Sequence, residues 1–119
     1  MKILIIKPSS FGDIIQALPC ANALKQAYHG SNISWVVFKN WEAVPKLCSD
    51  IDEIISWDRR RGIRGFFNVL KSIRRTEYDI IIDLQGLLRS ALLARFAKAK
   101  IKIGVPGMKE CSNILIKEV

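Results

Sequence analysis

Signatures of metal, disulfide and nucleotide-loop chemistry are scarce in this sequence. Its 119 residues hold one histidine and three cysteines. Cys20, Cys48 and Cys111 are far apart, odd in number and without a CxxC spacing, which argues against a disulfide framework and a zinc site. Cys20 instead reads as a small core residue on an apolar helical face. His29, followed by Gly30, reads as a helix-end residue with no second ligand nearby. Neither GxGxxG nor GxxxxGK[ST] occurs, so there is no dinucleotide fingerprint and no P-loop. No apolar run is long enough to span a bilayer. The stretch Ile3 to Ile6 is stopped by Lys7 and Pro8, which does not read as a signal peptide, and the expectation is a cytoplasmic protein. The length suits one small domain with a real core.

The net charge of +8 is unevenly spread. Residues 1–57 hold five lysines and five acids and are neutral in sum. Residues 58–75, "DRRRGIRGFFNVLKSIRR", hold seven basic residues and one acid, a net +6. Residues 76–119 add only +2, from seven basic and five acidic residues. A local patch of this kind implies a local anionic partner.

Apolar spacing divides the chain into alternating elements. "KILIIK" reads as a buried strand. Ile14, Ile15, Leu18, Ala21, Leu24 and Ala27 predict a helix to about Tyr28, kinked or late-starting because of Pro19. "NISWVVF" is a second strand, "NWEAVPKLC" a short helix broken at Pro45, and "DEIISWD" a third strand. Ile63, Phe66, Phe67, Leu70 and Ile73 predict an amphipathic helix with these five on one face. "YDIIIDL", "LLRSALLARFAKA" and "KIKIGV" complete the pattern as strand, helix and strand, with "NILIKEV" as a candidate sixth strand. Strands apolar throughout and alternating with helices predict an α/β fold, a Rossmann-like parallel sheet with helices on both faces. Ligands of such sheets sit outside the carboxyl ends of the strands. The "PSSFGD" loop, the arginine-rich segment and "DLQGLLRS" all leave such ends and face one crevice.

Each candidate residue has two readings. Asp13 suits a helix cap, either as N-cap with Gln16 at N3 or at N3 with Ser10 as N-cap. The same carboxylate points into the crevice, where it can take a proton from an attacking hydroxyl. A helix N-terminus stabilises the anion, so such a base works only when bond formation acidifies the hydroxyl. Ser9, Ser10 and Gly12 can offer hydroxyls and backbone N–H groups to a phosphate or sugar. Arg59, Arg60, Arg61 and Arg64 form the strongest local signal, because guanidinium forks pair with phosphate and carboxylate. Beside Phe66 and Phe67 they suit an anionic membrane surface, whereas no nucleic-acid-binding motif accompanies them. Asp83 and Gln85 read as structural, and Trp35, Trp41 and Trp57 as core or rim.

Together "MKILIIKPSSFGDIIQALP", "WDRRRG", "YDIIIDLQGLLRSALLARFA" and "KIGVPGMKECS" resemble the lipopolysaccharide heptosyltransferases, glycosyltransferase family 9. The resemblance runs through nearly the whole chain. It implies the N-terminal half of a GT-B fold, with residues 1–119 forming a single acceptor-binding domain and the donor-binding C-terminal domain absent, so that the chain reads as a fragment inactive alone. It implies inverting transfer of heptose from ADP-heptose to Kdo-lipid A or heptosyl-Kdo-lipid A, with no metal or other cofactor. Asp13 would be the general base, and Ser9, Ser10, Gly12, Arg60, Arg61, Arg64 and Lys109 would meet the acceptor. The expected place is the cytoplasmic face of the inner membrane, with no nucleic-acid partner. Gln16 stands where one branch of the family has histidine, which leaves open which heptose is added. The competing expectation is a non-catalytic basic module that binds an anionic membrane surface or nucleic acid.

Overall fold

The computed structural model describes residues 1–85 and 88–104. Five strands, β1 (Lys2–Ile6), β2 (Asn32–Phe38), β3 (Glu53–Trp57), β4 (Tyr78–Asp83) and β5 (Ala99–Gly104), alternate with three helices. These are α1 (Phe11–Ala27), α2 (Ile63–Arg74) and α3 (Leu88–Phe96). All strand pairs are parallel, in the order β3-β2-β1-β4-β5. This is the Rossmann-like sheet that the alternation predicts.

The two faces of β1 explain the layering. Side chains alternate across a strand, so Ile3 and Ile5 face one way and Leu4 and Ile6 the other. The first pair packs with Ile14, Ala17, Cys20, Ala21 and Leu24 of α1. The second packs with Val69 and Ile73 of α2 and Leu93 of α3. The sheet is thus covered on both sides, and buried strands of this kind must be apolar on both faces.

Two local expectations are corrected. Helix α1 starts at Phe11 and runs unbroken through Pro19. Ile15 and Pro19 are both exposed, so the carbonyl that Pro19 leaves without an N–H partner is on the water side. Residues 40–48 form no helix, only 3₁₀ turns at Lys39–Trp41 and Pro45–Leu47, because Pro45 can start a turn but cannot continue one. Cys20 is buried, as expected, and Cys48 is free. The sixth-strand expectation, 113–119, also lies outside the described residues, among which no helix is long and apolar enough to cross a membrane.

Asp52 ties the amino edge of the sheet together. Lys25 Nζ, in the last turn of α1, donates to Asp52 Oδ2 at 2.7 Å and to the Ser31 carbonyl at 2.6 Å. The Ile33 N–H, on β2, donates to the same Asp52 oxygen at 2.8 Å. Burial pushes this carboxyl up, but the Lys25 and Ile33 donors outweigh it and hold it below the usual carboxylate range. A depressed carboxyl stabilises the fold above its unfolded-state value and ceases to as pH falls through the folded one. The stability gap between wild type and Asp52→Asn should therefore be constant from about pH 7 to about pH 5 and close below about pH 4. Urea midpoints across that range measure it.

Candidate functional site at the carboxyl edge

The chain steps outward from β1 to β2 to β3, then crosses to β4 on the other side of β1. The strand order therefore reverses between β1 and β4, and crevices at such switch points bind ligands. The loop after β1 and the loop after β4 meet there. Gln85 Nε2 donates to Ser9 Oγ at 3.2 Å. The Leu84 N–H donates to the Ile6 carbonyl at 3.0 Å. Gln85 thus contributes to the site, beyond the structural role expected of it. Asp83 does anchor structure: its carboxylate accepts from the Gln85 N–H at 2.9 Å and from Ser90 Oγ, on α3, at 3.1 Å.

Ser10 is the N-cap of α1, and Asp13 stands at the third helical position. Of the two capping arrangements, this is the second. The Ser10 side chain nevertheless caps no backbone N–H. It donates instead to Asp13 Oδ2 at 3.2 Å. Ser10, Gly12 and Asp13 are exposed at the opening of α1, and Ser9 is half-buried behind them.

The arginine cluster lies two strands away, after β3. Arg59–Arg61 make a 3₁₀ turn whose N-cap, Asp58, accepts from the Arg60 N–H at 3.1 Å. Asp58 also faces Arg61 Nε at 3.6 Å. Gly62 follows at φ +55°, a left-handed conformation that glycine adopts without penalty. Arg60, Arg61 and Arg64 are all exposed. Among the described residues, Arg59, Arg60, Arg64 and Arg89 have no carboxylate within ion-pair distance.

Phe38, the last residue of β2, joins the two halves of the site. Its N–H donates to the Pro8 carbonyl at 3.0 Å, which ties it to the serine loop. Its ring lies beneath the Arg59 guanidinium, 4.9 Å from centroid to Cζ, and Arg89 Cζ approaches the same ring at 6.0 Å. Both distances fall within cation–π range. A cavity of about 350 Å³ lined by Lys39, Asn40, Trp57, Asp58, Arg59 and Arg60 opens beside it. Lys39, Asn40 and Phe38 were not foreseen as site residues. The only signal for them was their position at a strand's carboxyl end. Trp35 and Trp57 are core residues and Trp41 is half-buried, as expected. Lys109 lies outside the described residues.

The sequence profile of glycosyltransferase family 9 (heptosyltransferase) matches residues 66–117. Lipopolysaccharide heptosyltransferase 1 of Salmonella typhimurium is 32% identical over 114 residues, which cover 88% of this chain and 36% of that protein. Among solved structures, Escherichia coli heptosyltransferase WaaC with ADP is 33% identical at a TM-score of 0.76, covering 87% of this chain and 34% of that one. The same enzyme with ADP-2-deoxy-2-fluoro heptose superposes at a TM-score of 0.77, with 30% identity. The chain spans about a third of the length of the curated relatives it matches. The fold is the Rossmann-like half of a GT-B architecture.

Gly65 sets the spacing between α2 and the arginine turn. A Cβ there would collide with the Asp58 carbonyl oxygen, which is backbone and cannot swing aside. Gly65→Ala should therefore lower stability by about 1–3 kcal/mol, read as a lower urea midpoint. It should also displace the arginine turn, read as altered amide shifts across residues 58–62.

Proposed function

Because the chain belongs to glycosyltransferase family 9, we propose that it forms the acceptor side of a heptosyltransferase of lipopolysaccharide inner-core assembly. Heptose would pass from ADP-heptose to Kdo-lipid A or heptosyl-Kdo-lipid A with inversion, without a metal, at the cytoplasmic face of the inner membrane. The observation that carries the reading is Asp13: an exposed carboxylate at the switch point, oriented by Ser10 at 3.2 Å.

In this reading an acceptor hydroxyl lies against Asp13. Its oxygen attacks the anomeric carbon on the face opposite ADP. The new C–O bond forms as the bond to ADP breaks, ADP leaves with the electron pair, and Asp13 takes the hydroxyl proton. Transfer of the proton late, as the oxygen gains positive character, suits a carboxylate placed at a helix N-terminus. Ser9, Ser10 and Gly12 line the approach. Arg60, Arg61 and Arg64, with Lys109, meet the carboxylates and phosphates of the acceptor. Arg60 and Arg64, which have no carboxylate partner among the described residues, favour this role, whereas Arg61 would first have to give up Asp58.

In the complete enzyme, Asp13→Asn should cut kcat by at least about a hundredfold, the usual worth of a positioned base, with ADP-heptose affinity and fold unchanged. Turnover near wild type would remove the base assignment. Arg60→Ala and Arg61→Ala should raise the acceptor KM, with the effect shrinking at high salt. An effect confined to donor affinity would place the arginines elsewhere in the reaction.

A further inference from the structure

Helix α2 leaves large apolar side chains in water. The apolar stripe was expected to bury Ile63, Phe66, Phe67, Leu70 and Ile73 together. Instead Gly65, Val69 and Ile73 face the core, while Ile63 is 71% exposed and Phe67 55%. These two are one turn apart on the same row. Leu88, at the start of α3, is 76% exposed. Between the helices opens a cleft of about 380 Å³ whose lining includes Ile63, Phe66, Phe67, Leu92, Arg59 and Arg89.

Cations surround this apolar surface, and among the described residues no acid lines its cleft. Arg59 and Arg89, both against the Phe38 ring, have no carboxylate partner among the described residues. Lys71 and Arg74 continue the row of Ile63 and Phe67 along α2 and line a second depression with Phe67 and Leu70. Residues 63–74 contain no aspartate or glutamate. Apolar side chains flanked by guanidinium and ammonium groups match the boundary of an anionic bilayer, where phosphates lie above hydrocarbon. Nucleic acid would satisfy the cations but leave Ile63, Phe67 and Leu88 in water.

We propose that the α2–α3 face is a bilayer-docking surface: Ile63, Phe67 and Leu88 enter the acyl boundary of an anionic phospholipid membrane, and Arg59 and Arg89 hold headgroup phosphates. It deepens the reading above by naming the surface that brings the site to its lipid. Its test needs no turnover, so failure of transfer and failure of docking are separate results.

The experiment is co-sedimentation of the full chain with vesicles of phosphatidylcholine, with and without phosphatidylglycerol, at low and high salt. Binding is expected only to the anionic vesicles. Paired Ile63→Ser and Phe67→Ser changes should weaken it at least about tenfold. Paired Arg59→Gln and Arg89→Gln changes should weaken it about thirtyfold at low salt. Lys100→Gln with Lys102→Gln, which removes the same charge on β5, should leave it within about twofold. Acyl-brominated lipid should quench fluorescence in wild type and less in Trp57→Phe, since Trp57 lines the cleft. Circular dichroism confirms that each variant is folded. No binding, binding unchanged in the serine pair, or equal loss in the β5 pair overturns the proposal. So does full competition by inorganic phosphate, which would mark a free-anion site, or tighter binding to RNA than to vesicles.

Discussion

The position of β1 governs the geometry of the whole carboxyl edge. This strand is hydrogen-bonded on both sides, and its apolar residues are buried on both faces. Alternation therefore cannot set its register, because a slip of one residue would exchange one apolar face for another. The contacts just past its end do so instead. The Lys7 N–H donates to the Val36 carbonyl, Trp35 Nε1 donates to the Lys7 carbonyl, and the Phe38 N–H donates to the Pro8 carbonyl. A one-residue slip would move the start of α1 by about 3.3 Å, enough to displace Asp13 from its place beside the switch point.

From that strand outward, the site is assembled by hydrogen bonds on one side and aromatic packing on the other. Towards β4, Gln85 reaches Ser9 and Asp83 holds the Gln85 N–H and Ser90. Towards β3, Phe38 packs on Trp57 at 5.0 Å between centroids, and Trp57 packs on Phe66 of α2 at 6.0 Å. The arginine turn is thereby carried on a chain of packed rings, of which Phe38 and Trp57 are buried, rather than on a free loop. The two halves respond to different changes. Loss of a hydrogen bond loosens the serine loop, whereas loss of aromatic volume moves the cations.

Most of the framework was legible in the residues. Continuous apolar runs and period-3.6 spacing located all five strands and all three helices of the described residues, because burial on both faces of a sheet leaves a strong pattern. Residues 40–48 misled, since their apolar spacing resembles a helix and only Pro45 argues otherwise. The facing of α2 also misled. Spacing alone assigns Phe66 and Phe67 to one stripe, but the close approach of Gly65 to Asp58 rotates the helix and turns Phe67 outward. At the site, Asp13, the serines and the arginines were visible as residue types with chemistry. Phe38 and Gln85 were not, because their roles come from contacts across 21 and 76 residues of chain (Arg59 over Phe38, Gln85 to Ser9).

The double reading of Asp13 can now be taken further. A capping box would have the Ser10 hydroxyl accept from a first-turn N–H. Ser10 makes no such bond, and its hydroxyl donates a hydrogen bond to the Asp13 carboxylate instead. Ser10 thus orients an anion more than it finishes a helix. A carboxylate offers about four lone-pair directions, and Ser10 occupies one. Asp13 is exposed, so the remaining directions are open to solvent. A residue retained only to cap would gain from being engaged by its own helix. This one is held by a single side-chain donor among the described residues and left exposed at the carboxyl edge, as the proposed role of proton acceptor requires.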